Sequence, residues 1–231
     1  MALDNGFRIL VFSMCAVMAG CATSRSVITV EGPPAAAADV VAGSKGTVVI
    51  RSVTDERVFE QAPKDASIPS LGGEGADKAS AELKARAVGR KRNAYGKALG
   101  DIVLKEGQTV ESIVRDNVAA ALRAVGYNVA DANAAVSGTP VTIDVHIKKF
   151  WAWLQPGFWV LAVHSKIATD FDVGSGQPTS IEVAVVNKSP AVTDGMWAVT
   201  IAKALSHFRT EVVNKVPPAI AGQPAAPATS Q

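Results

Sequence analysis

Two cysteines, Cys15 and Cys21, are the most reactive side chains of this 231-residue chain, and they lie six positions apart in the stretch VFSMCAVMAGCATSRS. Two thiols this close in sequence could form a disulfide or share a metal ion, whereas a single thiolate is a nucleophile open to covalent modification. The flanking residues favour the last possibility. Residues 1–8 end in Arg8, and residues 9–20 form a short apolar run that closes with small residues, which is the pattern of a secretory signal.

The tetrapeptide Met18-Ala19-Gly20-Cys21 resembles the bacterial lipobox, in which the cysteine thiol receives a diacylglyceryl group before cleavage ahead of it. Methionine stands where leucine is usual. The resemblance implies that residues 1–20 are a lipoprotein signal peptide, that Cys15 is removed with it, and that lipidation of Cys21 anchors the mature chain. Two or three acyl chains, palmitate among them, make such an anchor stable. An ordinary signal, or an uncleaved anchor, with a chance cysteine is the alternative.

The residue after Cys21 is Ala22 rather than aspartate. Under the sorting rule of enteric bacteria, this predicts transfer to the outer membrane, with the domain on the periplasmic face. The apolar run of residues 9–20 is shorter than the ~18 residues that a membrane-spanning helix needs, so the anchor is expected to be the lipid itself.

A basic run, GRKRNAYG at residues 89–96, is the strongest charge feature of a chain whose formal net charge is only +2. Arg90, Lys91 and Arg92 could contact lipid phosphates, lipopolysaccharide or an acidic partner protein. They could equally belong to a solvated loop. The small net charge does not indicate a nucleic-acid partner.

Aromatic residues crowd the turn of a predicted hairpin: Phe150, Trp151, Trp153, Phe158 and Trp159. Strict alternation along the strands places the three tryptophans on the core face and the two phenylalanines on the other face. Either the tryptophans pack beneath residues 54–98, or they form an exposed patch that contacts a partner or a membrane. Trp151, Trp153, Phe158 and Trp159 therefore join the three basic residues as candidate partner-binding residues.

Other candidate chemistry is weak. Gly72, Gly73 and Gly75 before Lys78 do not match a phosphate-binding loop. His146 and His164, with Asp144, Asp170 and Asp172 nearby, lack a third ligand at a recognised spacing. No serine stands in a Gly-x-Ser-x-Gly turn. We therefore expect no enzymatic activity, no cofactor and no metal.

The elements that must position these residues follow from periodicity. β-Branched or alternating runs predict strands, and apolar stripes at helical spacing predict two helices, capped by Thr109 and by Asp194. The sequence predicts an α+β fold with a mainly antiparallel sheet and two helices on one face. The expected organisation is a lipidated tether at 21–45, a domain at 46–216 that includes a long basic and Gly-rich loop at 54–98, and a disordered Pro/Ala-rich tail at 217–231.

This order of elements is similar to that of the YajG-type family of bacterial envelope lipoproteins. The resemblance is carried by the lipobox, the helix ending ALRAVGYNV at 121–129, the strand VTIDVHI at 141–147 and the final helix. It implies a location and a fold but supplies no catalytic residues. We expect a non-enzymatic outer-membrane lipoprotein whose domain binds another envelope component. The alternative is an auxiliary lipoprotein of an export or lipid-transport machine, and an envelope hydrolase is a third possibility.

Overall fold

The computed structural model describes residues 25–34, 44–73, 75–93, 95–136, 138–157 and 159–222. The predicted signal peptide, Cys21, residues 35–43 of the tether, Phe158 and residues 223–231 lie outside the described residues. The α+β prediction is confirmed. The strands are β1 (Ser26–Ile28), β2 (Thr47–Asp55), β3 (Ala87–Arg92), β4 (Ala98–Leu104), β5 (Asn128–Asp131), β6 (Val141–Pro156), β7 (Leu161–Val173) and β8 (Thr179–Ser189). The helices are α1 (Ala81–Arg86), α2 (Val110–Ala124) and α3 (Asp194–Ala221).

Strand β6 organises one mixed sheet. Along one side it pairs in parallel first with β2 and then with β3, and along the other it forms the predicted antiparallel hairpin with β7. β5 extends the sheet beyond β2, β4 and β1 extend it beyond β3, and β8 pairs with β7. The longest pairings, β6–β7 and β7–β8, are antiparallel, whereas the parallel pairings are shorter.

Helices α2 and α3 cover one face of the sheet and enclose the main core. Thr109 caps α2 as predicted: its hydroxyl accepts from the Ser112 amide at 3.1 Å, and the Ser112 hydroxyl accepts from the Thr109 amide at 3.0 Å. The cap predicted for α3 is wrong by one residue, because Thr193 is the N-cap and Asp194 already lies in the helix. No helix among the described residues is long and apolar enough to cross a membrane.

Helix α3 also continues past the end that Pro217 and Pro218 predicted, since it reaches Ala221. Proline costs a helix its amide hydrogen bond and crowds the preceding turn. Here Val216 and Ile220 continue the buried stripe of α3, and burial of that stripe offsets the cost. The domain therefore extends beyond residue 216.

The predicted loop at 54–98 contains regular structure, because α1 and β3 occupy its second half. Ser80 caps α1 by accepting from the Leu83 amide at 3.1 Å, and Ala87 and Val88 are buried in β3. The covering segment, defined here as residues 56–80 without residue 74, crosses the sheet face opposite to α2 and α3, which we call the outer face. It encloses a second, smaller core of Leu71, Ala87, Val103 and Trp151.

Candidate functional site

The basic run lies in β3 and its following turn, where side chains alternate between the two faces. Arg90 and Arg92 point to the outer face, and the covering segment buries most of both side chains. Lys91 points the other way, and its ammonium donates to the Ser26 hydroxyl at 2.7 Å. The three cations thus have two environments, one for Arg90 and Arg92 on the outer face and one for Lys91 on the other face, rather than one shared exposed surface.

Buried arginines hold the covering segment against the sheet. Arg57 pairs with Asp55 through two hydrogen bonds of 2.7 Å and donates to the carbonyl oxygens of Ala87, Phe150 and Lys84 at 2.6, 3.1 and 2.7 Å. The contacts of this buried guanidinium join the start of the segment to β2, β3, β6 and α1. A charge buried this way is stable only because its donors are satisfied.

Arg92 makes a similar contact but with neutral acceptors. Its guanidinium donates to the Pro63 carbonyl at 2.7 Å and to the Ser70 hydroxyl at 3.2 Å, and the residue is 8% exposed. Burial and the neighbouring positive charge of Arg90 lower the pKa of Arg92. Arg90 itself lies 3.8 Å from Asp101, whose carboxylate is also 3.7 Å from Arg25.

A cavity of about 390 Å³ opens beside these two arginines. We call it the cationic pocket; it is lined by Ala62, Pro63, Lys64, Arg90, Arg92, Tyr95, Gly96 and Ala98. Sequence reasoning singled out Arg90 and Arg92 but missed Lys64 and Tyr95. Lys64 is remote from the basic run in sequence, and only the folding of the covering segment over β3 brings it there.

The aromatic residues separate into three environments. Trp151 is fully buried, donates its indole N–H to the Ala66 carbonyl at 3.2 Å and packs edge-on against Phe59 at 6.0 Å between ring centroids. Trp153 stacks on His164 at 5.1 Å. Trp159 is 84% exposed in the turn between β6 and β7. Trp151 is therefore a packing residue, and among the described aromatic residues of this hairpin Trp159 is the one with surface to offer a partner.

The predicted faces of Phe150, Trp151 and Trp153 are wrong. Phe150 lies in the main core, and Trp151 and Trp153 lie on the outer face. The cause is a β-bulge: between the pairs Ile147–Thr169 and Lys149–Ala168, β6 advances two residues while β7 advances one. One extra residue reverses the alternation for everything that follows it.

The two histidines considered for a metal site have different surroundings. Nδ1 of His146 lies 2.5 Å from Glu56, and Nε2 lies 3.3 Å from Asp172, so the ring is engaged on both sides. His164 is stacked on Trp153. No group of three metal-ligating residues occurs in the described part of the chain.

The first described residues lie beside the cationic pocket. β1 is parallel to β4, with Ser26 opposite Ile102, so Arg25 lies toward the end where β4 begins. The end of the sheet that carries the β3–β4 turn and the β6–β7 turn is here called the tip end. The Ser26 hydroxyl donates to Asp194 at 2.8 Å, which joins this part of the chain to the start of α3.

No protein-family model matches the chain, and no curated protein sequence matches it. Among matching solved structures, the crystal structure of an uncharacterised protein is 9% identical and has a TM-score of 0.43, with coverage of 83% of this chain and 97% of its own. A protein of Xanthomonas campestris from the DUF330 family is 12% identical and has a TM-score of 0.45, with coverage of 82% and 91%. At these identities and scores the likeness assigns no function.

Proposed function

We propose that this chain is a non-enzymatic outer-membrane lipoprotein of the bacterial cell envelope, anchored through Cys21, with a periplasm-facing domain that binds another envelope component. The lipobox-like Met18-Ala19-Gly20-Cys21 and the resemblance to YajG-type lipoproteins support the anchor. The tip end, with its exposed aromatic residues and the cationic pocket, is the surface that we assign to binding.

The position of Arg25 is the observation that carries this proposal. Arg25 lies 3.7 Å from Asp101, which in turn lies 3.8 Å from Arg90 of the pocket. Cys21 precedes Arg25 by four residues, and four residue steps span no more than about 14 Å. A lipid on Cys21 would therefore hold the tip end close to the membrane from which the domain projects.

Metabolic labelling with palmitate tests the anchor. We expect the native chain and the Cys15→Ser variant to incorporate label in a bacterial host and to fractionate with the outer membrane. We expect the Cys21→Ser variant to lose the label. Label retained by Cys21→Ser, or lost equally by Cys15→Ser, would contradict the assignment of Cys21.

Co-purification from native membranes, followed by mass spectrometry, tests the binding function. Enrichment of an envelope component with the native chain, and its loss with Trp159→Ala, supports the proposal. Transporter subunits together with bound lipid would instead support the auxiliary lipoprotein of an export or lipid-transport machine. The space between the sheet and α3 is filled by Ile201, Phe208 and Val212, so this alternative would need a lipid site elsewhere.

A further inference from the structure

Three cations line the cationic pocket. Lys64 is exposed at its rim, whereas Arg90 and Arg92 form its wall and retain little exposure. Tyr95, which is 94% exposed, lies at the same opening. The pocket is open to solvent and is large enough for a small anionic group rather than for a whole apolar ligand.

The positive charge of this pocket is poorly balanced by the described residues. Arg25 and Arg90 share the single carboxylate of Asp101, at 3.7 and 3.8 Å. Both distances are longer than a hydrogen bond. Among the described residues no carboxylate comes within 4.0 Å of Arg92 or Lys64. Asp65 acts on Arg92 only through space, and its own carboxylate accepts from the Ser67 amide at 2.8 Å.

Two hydrogen-bond donors in the pocket wall also lack acceptors. The Nε atoms of Arg90 and Arg92 are buried and have no hydrogen-bond partner in the described structure, and the nearest carboxylate oxygen to the Arg90 Nε, that of Asp101, is 3.8 Å away. A buried cation without a close counter-ion is costly, and an anion in the pocket that these two guanidinium groups line would offset part of that cost by charge attraction. Planar guanidinium groups match the geometry of phosphate and carboxylate oxygens especially well. The wall is therefore built to receive an anion.

The position of the pocket indicates where that anion comes from. On the proposed function, the Cys21 anchor keeps the tip end within reach of the membrane surface. Tyr95 and Trp159, exposed on the two turns of this end, are residue types enriched where protein meets lipid head groups. Lys97 and Lys188 add exposed positive charge nearby.

We propose that the cationic pocket binds the phosphate of a membrane lipid head group, and that this contact, together with Tyr95 and Trp159, orients the domain on the bilayer from which it is anchored. The proposal rests on the proposed function, because only an anchored chain holds the pocket at a membrane. The recognised chemistry is a phosphate oxyanion, which free phosphate also carries.

Vesicle co-sedimentation tests the proposal with the full mature-length chain carrying Cys21→Ser, so that acyl chains do not dominate binding. The vesicles are phosphatidylcholine alone, or phosphatidylcholine with 20% phosphatidylglycerol or phosphatidic acid as a probe composition (about one lipid in five). We expect binding to the two anionic compositions. Lys64→Gln and Arg90→Gln should each weaken it about fivefold, since a cation near an anionic surface contributes ~1 kcal/mol.

Lys105→Gln is the matched control, because Lys105 is also exposed but lies at the opposite end of β4. Equal weakening by Lys105→Gln would show a diffuse charge effect and overturn the pocket. A circular dichroism melt checks that each variant is folded, and Lys64→Gln, at an exposed position, keeps the test valid if Arg90→Gln unfolds.

Competition separates the two sources of phosphate. Short-chain dihexanoyl phosphatidic acid should displace the chain from vesicles at concentrations at least about tenfold below those needed for inorganic phosphate, because Tyr95 and neighbouring apolar atoms contact the glyceride. Equal potency would identify a free-phosphate site and overturn the lipid assignment. Palmitate labelling of the native chain is scored separately, so absence of the anchor and absence of head-group binding are distinguishable results.

Discussion

The outer face of β6 has two different environments on either side of its bulge. Before the bulge, Asp144, His146 and Lys148 lie on the outer face outside the covering segment. Asp144 forms an ion pair with Arg51 of β2, and His146 and Lys148 form ion pairs with Glu56, the residue after β2. After the bulge, the outward side chains are tryptophans, and the covering segment buries the first of them completely. One strand therefore carries an exposed ionic half and a covered aromatic half.

The difference shows that alternation and coverage are separate properties. Alternation determines which side chains share a face of a strand. Coverage depends on residues 56–80, which are remote from β6 in sequence and are held there by the buried guanidinium groups of Arg57 and Arg92. Single changes at the bulge, at these arginines and at the histidines of the two halves can test the distinction.

The largest expected effect is that of a single deletion opposite the bulge. Lys149 and Ala168 are register partners. Deleting Ala168 would move Thr169, Phe171 and Val173 from the core to the outer face, so we expect no stable fold. Deleting Lys149 would remove only the extra residue and keep every later side chain on its present face, at a cost of about 1–2 kcal/mol.

Urea unfolding followed by circular dichroism measures both deletions. A cooperative transition for the Lys149 deletion and none for the Ala168 deletion is the expected result. If the two deletions are equally harmful, the bulge is not the device that sets the faces of Phe150 and Trp151.

The sequence could predict the elements whose pattern is local. The α2 cap at Thr109, the β6–β7 hairpin and the apolar stripe of α3 all follow from residues close in the chain. The bulge could not be predicted, because the run Lys148-Lys149 gives no signal for which residue is extra. Strand β3 was also missed, since AVGRKR carries three cations that only the covering segment and Ser26 accommodate.

The candidate site divides in the same way. Arg90 and Arg92 were identifiable as a charge cluster, but their burial depends on Pro63 and Ser70, which contact them across the fold. The reach of Lys64 to the same pocket is likewise a tertiary result. Composition thus located the charge, and only the fold shows which charges are left without a counter-ion.

Replacing the buried arginine of the covered half should cost far more than replacing the exposed arginine of the ionic half. Arg57→Met leaves the Asp55 carboxylate and three carbonyl groups without their donor, and we expect a loss of about 3–5 kcal/mol. Arg51, whose side chain is 64% exposed, pairs with Asp144, which is buried but also accepts from the Ser52 hydroxyl, so Arg51→Met should cost only about 1–2 kcal/mol. Urea unfolding at pH 7 compares the two, and similar losses would show that burial does not distinguish the halves.

A methyl group on Gly89 tests how closely β3 approaches β6 beneath the covered half. A Cβ there would lie 2.7 Å from the Ala152 carbonyl oxygen and 3.3 Å from the Trp197 ring. Gly89→Ala should therefore cost about 1–3 kcal/mol, as overpacking does. Gly32→Ala is the control, because a Cβ at Gly32 meets no atom within 4 Å. Thermal unfolding of both variants checks the prediction, which equal melting temperatures would refute.

The smallest expected effect is a pH dependence of opposite sign in the two halves. The hydrogen bond to Glu56 raises the pKa of His146 in the ionic half. Burial, together with the positive charge of Lys188, lowers the pKa of His164 in the covered half. The unfolded chain gives both imidazoles a pKa near 6.5. Asp144, Lys148, Asp170 and Asp172 also lie around His146. Hydrogen bonds from Lys148 and His146 lower the pKa of Glu56 below its ordinary value of about 4 to 5. Glu56 therefore stays ionised between about pH 5.5 and 8.5.

Linkage gives the sign for each histidine. The stabilisation from His146 is fully present below about pH 6.5 and is lost as the pH rises through its higher folded pKa. The stabilisation from His164 is fully present above about pH 6.5 and is lost as the pH falls toward its lower folded pKa.

Relative to the native chain, His146→Gln should thus be most destabilised near pH 5.5, and His164→Gln near pH 8.5. Each difference should stay below about 1 kcal/mol, since both rings are partly exposed. Urea unfolding at pH 5.5, 7.0 and 8.5 measures the two slopes, and slopes of the same sign would mean that the bulge does not separate two electrostatic environments.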